Sequence, residues 1–169
     1  MTLEEAIKTA IEFETKVKDV YVKAEKHAKD KVGRRTFKLL ADEEFRHIAY
    51  LTKRLNEWKK DGRITVEKLE TAIPPRKVIE REVKKLKKEV SKKDHDQELE
   101  MLQHALTTEV ETSAFYKRMV AELSAEGHKM FARFVEIEDG HIAIVQSEID
   151  KLTGLGFWFD LSEFDLSSG

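Results

Sequence analysis

Glu44-x-x-His47 recurs as Glu138-x-x-His141, 94 residues further along the chain. On a helix, residues three apart stand one turn from each other on one face, so each motif offers a carboxylate beside an imidazole. The surroundings repeat as well: Phe37 stands ten residues before His47, and Phe131 ten before His141. Upstream, Glu14 is followed at seven by Tyr21, and Glu109 is followed at seven by Tyr116. Two parts of one chain thus supply the same three donor residues, Glu14, Glu44 and His47, then Glu109, Glu138 and His141. Four carboxylates and two imidazoles in two related sets are what a pair of iron or manganese ions needs inside a helical bundle.

A single Glu three residues before a His carries little weight in a chain with 33 acids in 169 residues. Such a pair is more often a surface ion pair or a satisfied core histidine. Here only two of the six histidines have a Glu at that position, and they are the two related by the repeat. Each motif also lies in the middle of an apolar stripe, as do Glu14 and Glu109. Burying an unpaired carboxylate costs several kcal/mol. Four carboxylates converging in a core need compensation, and two divalent cations supply it.

The helical periodicity is long and regular. Thr2 with Glu5 reads as a capping box opening a first helix, with Ile7, Ala10, Ile11, Glu14, Val17 and Tyr21 on one face. A second runs from about Arg34 to Lys60, its inner stripe being Phe37, Leu40, Ala41, Glu44, His47, Ile48, Leu51 and Leu55. Ser91 with Asp94 would open a third, with Leu102, Ala105, Leu106, Glu109, Thr112, Ser113, Tyr116 and Val120 inward. The fourth carries Phe131, Phe134, Val135, Glu138, His141, Ile142, Val145 and Ile149. Gly33, Gly62, Gly127 and Gly154 are expected just past the four helix ends. Between the second and third helices lies a long connection containing Pro74-Pro75. Val78, Ile79, Val83, Leu86 and Val90 predict a short amphipathic helix there, its opposite face lysine-rich and solvated.

The expected architecture is all-α: two antiparallel helical hairpins joined by a long crossover, about 61–91, within a bundle spanning 1–154. A tail, 155–169, contains Phe157, Trp158, Phe159 and Phe164 and is expected to bury itself, with a homodimer as the expected assembly. With 31 basic residues against 33 acidic ones, charge gives no reason to expect nucleic acid. The absence of cysteine excludes disulfides, thiol catalysis and Cys-ligated iron within this chain. No apolar run is long enough for a membrane span, and Met1-Thr2-Leu3-Glu4-Glu5 has no signal-peptide character, so a cytoplasmic location is expected.

Tyr21 and Tyr116 repeat together with the donor glutamates and are expected to hydrogen-bond metal-bound carboxylates. Glu43 is a weaker candidate for the same role, because its counterpart across the repeat is Ile137. His27, His95, His104 and His128 have no such neighbours and are expected at the surface or at helix ends. A carboxylate-rich donor set without thiolate suits iron or manganese; iron is preferred because it can cycle between two oxidation states, and zinc is a possible substitute.

The segments Ala10–Tyr21, Leu39–Leu51, Ala105–Tyr116 and Phe134–Val145 resemble the rubrerythrin branch of the ferritin-like superfamily. The resemblance implies a ferritin-like four-helix bundle with two irons. It implies that Glu44 and Glu138 bridge the ions, with Glu14 and His47 terminal on one ion and Glu109 and His141 on the other. It further implies reaction with hydrogen peroxide or dioxygen, and an external donor such as a rubredoxin-type protein. The chain departs from the family pattern in two ways. It has no cysteines for an appended rubredoxin-like centre, and Thr112 stands where those relatives carry a further Glu, with Glu111 about 100° away on the helix. The alternatives to a peroxidase are a ferroxidase-type iron-handling protein and a non-catalytic helical association module.

Overall fold

The computed structural model describes residues 1–85 and 96–153, and among them there are five helices and no strand. They are α1 (Leu3–His27), α2 (Lys31–Asp61), α3 (Arg76–Lys85), α4 (Asp96–Glu122) and α5 (Ala125–Leu152). Leu86, Val90, the Ser91 and Asp94 pair, His95, Gly154 and the aromatic tail lie outside the described residues, as does the Val83 side chain.

The predicted capping box is present: Glu5 N–H donates to Thr2 Oγ1 at 3.2 Å, and Thr2 N–H donates to Glu5 Oε2 at 2.8 Å. At its other end α1 stops earlier than Gly33 suggests. Ala28 is extended and Asp30 caps α2, its Oδ1 accepting from Val32 N–H at 2.8 Å and Gly33 N–H at 3.1 Å. Gly33 therefore lies inside the first turn of α2, because a strong N-cap placed before it decides the boundary. Gly62 does end α2, with φ 67° in the left-handed region. Gly127 is a second correction. It sits in the first turn of α5, where an added Cβ would come 3.1 Å from Leu3 Cδ1, so close packing explains it better than termination does.

α1 packs along α2, α4 along α5, and α1 along α4. Tyr21 lies C-terminal to Glu14 on α1 yet pairs with Glu109, while Tyr116 lies C-terminal to Glu109 on α4 yet pairs with Glu14. That crossing requires α1 and α4 to run antiparallel. Two apolar clusters fill the bundle. One gathers Val17, Tyr21, Phe37, Leu40, Leu102, Ala105, Ile144 and Val145. The other gathers Ile7, Ala10, Leu51, Tyr116, Met119, Phe131 and Phe134. The repeated carboxylates and imidazoles fall between them in each helix, so they occupy the dry middle of the bundle.

The crossover runs against α2 and α5. Tyr50 hydroxyl donates to the Glu67 carbonyl at 2.7 Å, and Arg54 Nη1 donates to the Thr65 carbonyl at 2.9 Å. From α5, Arg133 Nε donates to the Leu69 carbonyl at 3.0 Å. α3 then begins just after Pro75 and packs on α5, with Val78 and Ile79 buried as the amphipathic pattern predicts. Among the described residues no helix is long and apolar enough to cross a membrane.

Candidate metal centre

The structure brings all six repeated donor residues together, each fully buried. α1 supplies Glu14, α2 supplies Glu44 and His47, α4 supplies Glu109, and α5 supplies Glu138 and His141. Their donor atoms form two overlapping groups. Glu14, Glu44, His47 and Glu138 place one donor atom each within 4.8 Å of one another, and so do Glu44, Glu109, Glu138 and His141. Glu44 and Glu138 belong to both groups.

Both imidazoles turn Nδ1 toward the carboxylates. His47 Nδ1 lies 3.3 Å from Glu14 Oε2, 3.3 Å from Glu44 Oε2 and 3.6 Å from Glu138 Oε1. His141 Nδ1 lies 2.8 Å from Glu44 Oε1, 3.3 Å from Glu109 Oε1 and 3.7 Å from Glu138 Oε2. The rings stack nearly parallel, 9° apart, with centroids 5.5 Å apart. The two tyrosines act crosswise. Tyr21 on α1 donates its hydroxyl proton to Glu109 Oε1, and Tyr116 on α4 donates to Glu14 Oε1. Each phenol thus braces the outer carboxylate of the opposite half.

Electrostatics follow from crowding without water. Burial raises Glu44 to about 8, and the Glu14 carboxylate beside it acts in the same direction. Burial, joined by Glu109 and Glu14, holds Glu138 well above the usual carboxylate range. Burial also opposes ionisation of Glu14, but the His47 imidazolium outweighs it and brings that carboxyl down to about 2. Glu109 is lowered in the same way: burial is overcome by the neighbouring Glu138 carboxyl and by His141. Burial disfavours the imidazolium, yet the carboxylates win at both rings. His141 is raised to about 10, chiefly by Glu109 and Glu44, and His47 goes well above its ordinary value through Glu44 and Glu14. Burial and then the neighbouring carboxylates raise both tyrosines, so they remain phenol donors.

The donor set fits a pair of cations. Both Glu138 oxygens and Glu109 Oε2 are buried without a hydrogen-bond partner. Such orphaned carboxylate oxygens are rare in a folded core and fit groups that await a positive charge.

The rubrerythrin family model matches residues 5–149. The chain belongs to the rubrerythrin family. The match covers the helices that carry all six donor residues. No match was found among curated proteins or among solved structures. As a rubrerythrin-family member with an all-α, ferritin-like bundle, the chain has a buried Glu and His cluster able to hold metal, as the family's di-iron proteins do.

The remaining predicted residues fall where expected, or add something new. His27, His104 and His128 are exposed, and His128 Nδ1 reaches the Val120 carbonyl at 2.8 Å. Thr112 is buried and donates its hydroxyl to the Thr108 carbonyl at 2.8 Å. Glu111 is at the surface, paired with Lys16 at 3.3 Å, so it does not replace the absent family carboxylate. Glu43 is more than its asymmetric counterpart suggested: it is fully buried and lies 3.5 Å from His47 Nε2. Arg54, seven residues after His47, is also fully buried, a placement that the apolar stripe gave no reason to expect.

Proposed function

We propose that this rubrerythrin-family chain is a di-iron oxidoreductase that reduces hydrogen peroxide with electrons from an external donor such as a rubredoxin-type protein. The observation that carries the reading is the sharing of Glu44 and Glu138 between the two donor groups. Those two carboxylates would bridge the ions; Glu14 with His47, and Glu109 with His141, would complete one ion each. When bound, iron supplies the ferrous–ferric couple that the side chains themselves lack. The side chains do the rest. The Tyr116 and Tyr21 hydroxyls hold Glu14 and Glu109 in orientation. Phe134, edge-on to His47 with ring centroids 5.4 Å apart, and the flanking apolar clusters keep bulk water out. Iron is favoured over zinc because the donors are carboxylates and imidazoles without thiolate; manganese fits the same donors.

Reconstitution with ferrous iron under anaerobic conditions, followed by stopped-flow absorbance with hydrogen peroxide or dioxygen, tests the proposal. Oxidation faster with peroxide, at two irons per chain, is the expected result. One observation favours a second reading, an iron-handling ferroxidase: Thr112 offers a hydroxyl already committed to Thr108 where the family's extra Glu would stand. A preference for dioxygen, with many irons taken up per chain, would establish that reading instead. The proposal includes a homodimer, for which the composition of 155–169, with Phe157, Trp158, Phe159 and Phe164, is the support. Truncation after Thr153 should shift the sedimenting species from dimer toward monomer with metal content unchanged; a full-length monomer at micromolar concentration would remove the dimer.

A further inference from the structure

Three buried polar atoms lie on the side of the imidazole pair away from the carboxylate cluster, and none has a hydrogen-bond partner: Glu43 Oε2, His47 Nε2 and His141 Nε2. Glu43 Oε2 is 3.5 Å from His47 Nε2. One Glu43 oxygen and one ring nitrogen from each of His47 and His141 lie within 4.8 Å of one another. The other Glu43 oxygen is occupied. Oε1 accepts from the Thr71 hydroxyl at 2.9 Å and from Ala72 N–H at 2.5 Å, which ties the carboxylate to the crossover. The position is asymmetric, since Ile137 replaces Glu43 across the repeat and brings no second acceptor.

We propose that Glu43 is the positioning residue for both imidazoles: its Oε2, fixed from behind by Thr71 and Ala72, accepts hydrogen bonds from both Nε2–H groups so that each Nδ1 presents its lone pair to an ion. The chemistry is that of a histidine clamped between a metal and a carboxylate, in which the outer acceptor selects the tautomer and raises the basicity of the coordinating nitrogen. On the Nδ1 side the rings face the donor carboxylates, His47 at 3.3 Å from Glu14 and Glu44, and His141 at 2.8 Å from Glu44. Once a cation displaces the Nδ1 proton to solvent, Nε2–H is the only donor left on each ring, and among the described residues Glu43 is the carboxylate grouped with both rings on that side. A single anchored acceptor thus serves two ligands. It also adds a fifth negative charge behind the cluster, which favours the more highly charged, oxidised state of any ion held there.

The inference rests on the two-ion reading, and the test separates the two. Glu43→Gln keeps an oxygen for Thr71 and Ala72 but turns an NH2 donor toward the Nε2 atoms. Zinc, which is redox-silent, is titrated into wild type and variant by competition with a chromophoric chelator, and the zinc-loaded proteins are compared by long-range 1H–15N NMR of the imidazoles. Wild type should bind two zinc ions with both rings in the Nε2–H form. The variant should bind 10- to 100-fold more weakly, with the His47 and His141 ring signals displaced. Its crossover should resist trypsin at Arg63 and Lys68 as wild type does. Equal zinc affinity and unchanged ring signals in the variant would overturn the positioning role. Trypsin sensitivity appearing together with the affinity loss would overturn it too, in favour of a purely anchoring carboxylate. A third tightly bound ion per chain that disappears in the variant would make Glu43 a ligand instead. A wild type that binds no zinc pair would overturn the two-ion reading itself.

Discussion

Loading the cluster with two divalent ions at pH 7 is expected to release close to four protons per chain. Burial and crowding keep a proton on Glu44, at about 8, and on Glu138, well above the carboxylate range. Carboxylates keep a second proton on His141, at about 10, and on His47. Glu14, near 2, and Glu109 remain ionised. Two neutral acids, two imidazoliums and two carboxylates sum to zero. Four carboxylates, two neutral imidazoles and two divalent ions also sum to zero. The metal pair therefore exchanges for protons one charge at a time, and the set of six donor residues is neutral in both states, as a low-dielectric interior favours. The overall constant for binding both ions should then rise about ten-thousand-fold per pH unit near neutrality. Isothermal titration with zinc or manganese, in buffers of different ionisation enthalpy, counts the protons directly. Release of fewer than two would refute the charge accounting, because at least one acid and one imidazolium would have to be misassigned.

The metal-free chain should lose stability between pH 5 and pH 8. Glu44 keeps its proton to about 8 when folded but only to 4.5 when unfolded, so the folded state binds the extra proton in that window and forfeits about 4 kcal/mol across it; urea titrations that show a flat or rising profile would count against this. Glu138→Ala should remove the paired site whereas His27→Ala, at an exposed position, should keep it, and equal metal content by elemental analysis would contradict the assignment. Gly140→Ala should destabilise the fold by about 1 kcal/mol net, because the added Cβ meets the Pro74 carbonyl oxygen at 2.9 Å and Ile73 Cγ2 at 3.3 Å and this overpacking exceeds the gain in helix propensity. A higher midpoint in thermal denaturation would show that the crossover yields freely.

The inward-facing residues were legible because helical spacing and an internal repeat both bear on them. Glu14, Glu44, His47, Glu109, Glu138 and His141 sit at period-3.6 positions among apolar neighbours, so their burial followed from their register. What spacing could not give was the partner across the bundle. Tyr21 and Tyr116 were placed beside a carboxylate, but that each reaches the opposite half depends on α1 and α4 running antiparallel in contact. The helix ends were read from glycines, and two of those readings failed. Asp30 is a better start signal than Gly33 is a stop, and Gly127 is small because α1 passes it. Arg54 is not legible in the sequence, and Glu43 is only weakly so, for a related reason: their partners come from the irregular stretch of the crossover before α3, which has no periodicity to read.

The crossover also explains where the repeat breaks down. The side chains that line the donor cluster match across the two halves: Glu14 with Glu109, Tyr21 with Tyr116, Glu44 with Glu138, His47 with His141, Phe37 with Phe131. The side chains that meet the crossover do not. Glu43, Tyr50 and Arg54 on α2 correspond to Ile137, Ile144 and Glu148 on α5, while Gly140 and Arg133 on α5 correspond to Arg46 and Leu39 on α2. A pair of ions asks for two equivalent ligand sets, but a chain has only one crossover to lay against them. Where it lies, Arg54 finds the Thr65 carbonyl, Glu57 at 3.1 Å and the face of Tyr50. At the corresponding place on α5, Glu148 is fully buried with neither oxygen hydrogen-bonded, and burial pushes its carboxyl well above the usual carboxylate range. The same single-sidedness leaves one carboxylate among the described residues, Glu43, behind two imidazoles, so the two donor groups are alike in their residues and unlike in what stands behind them.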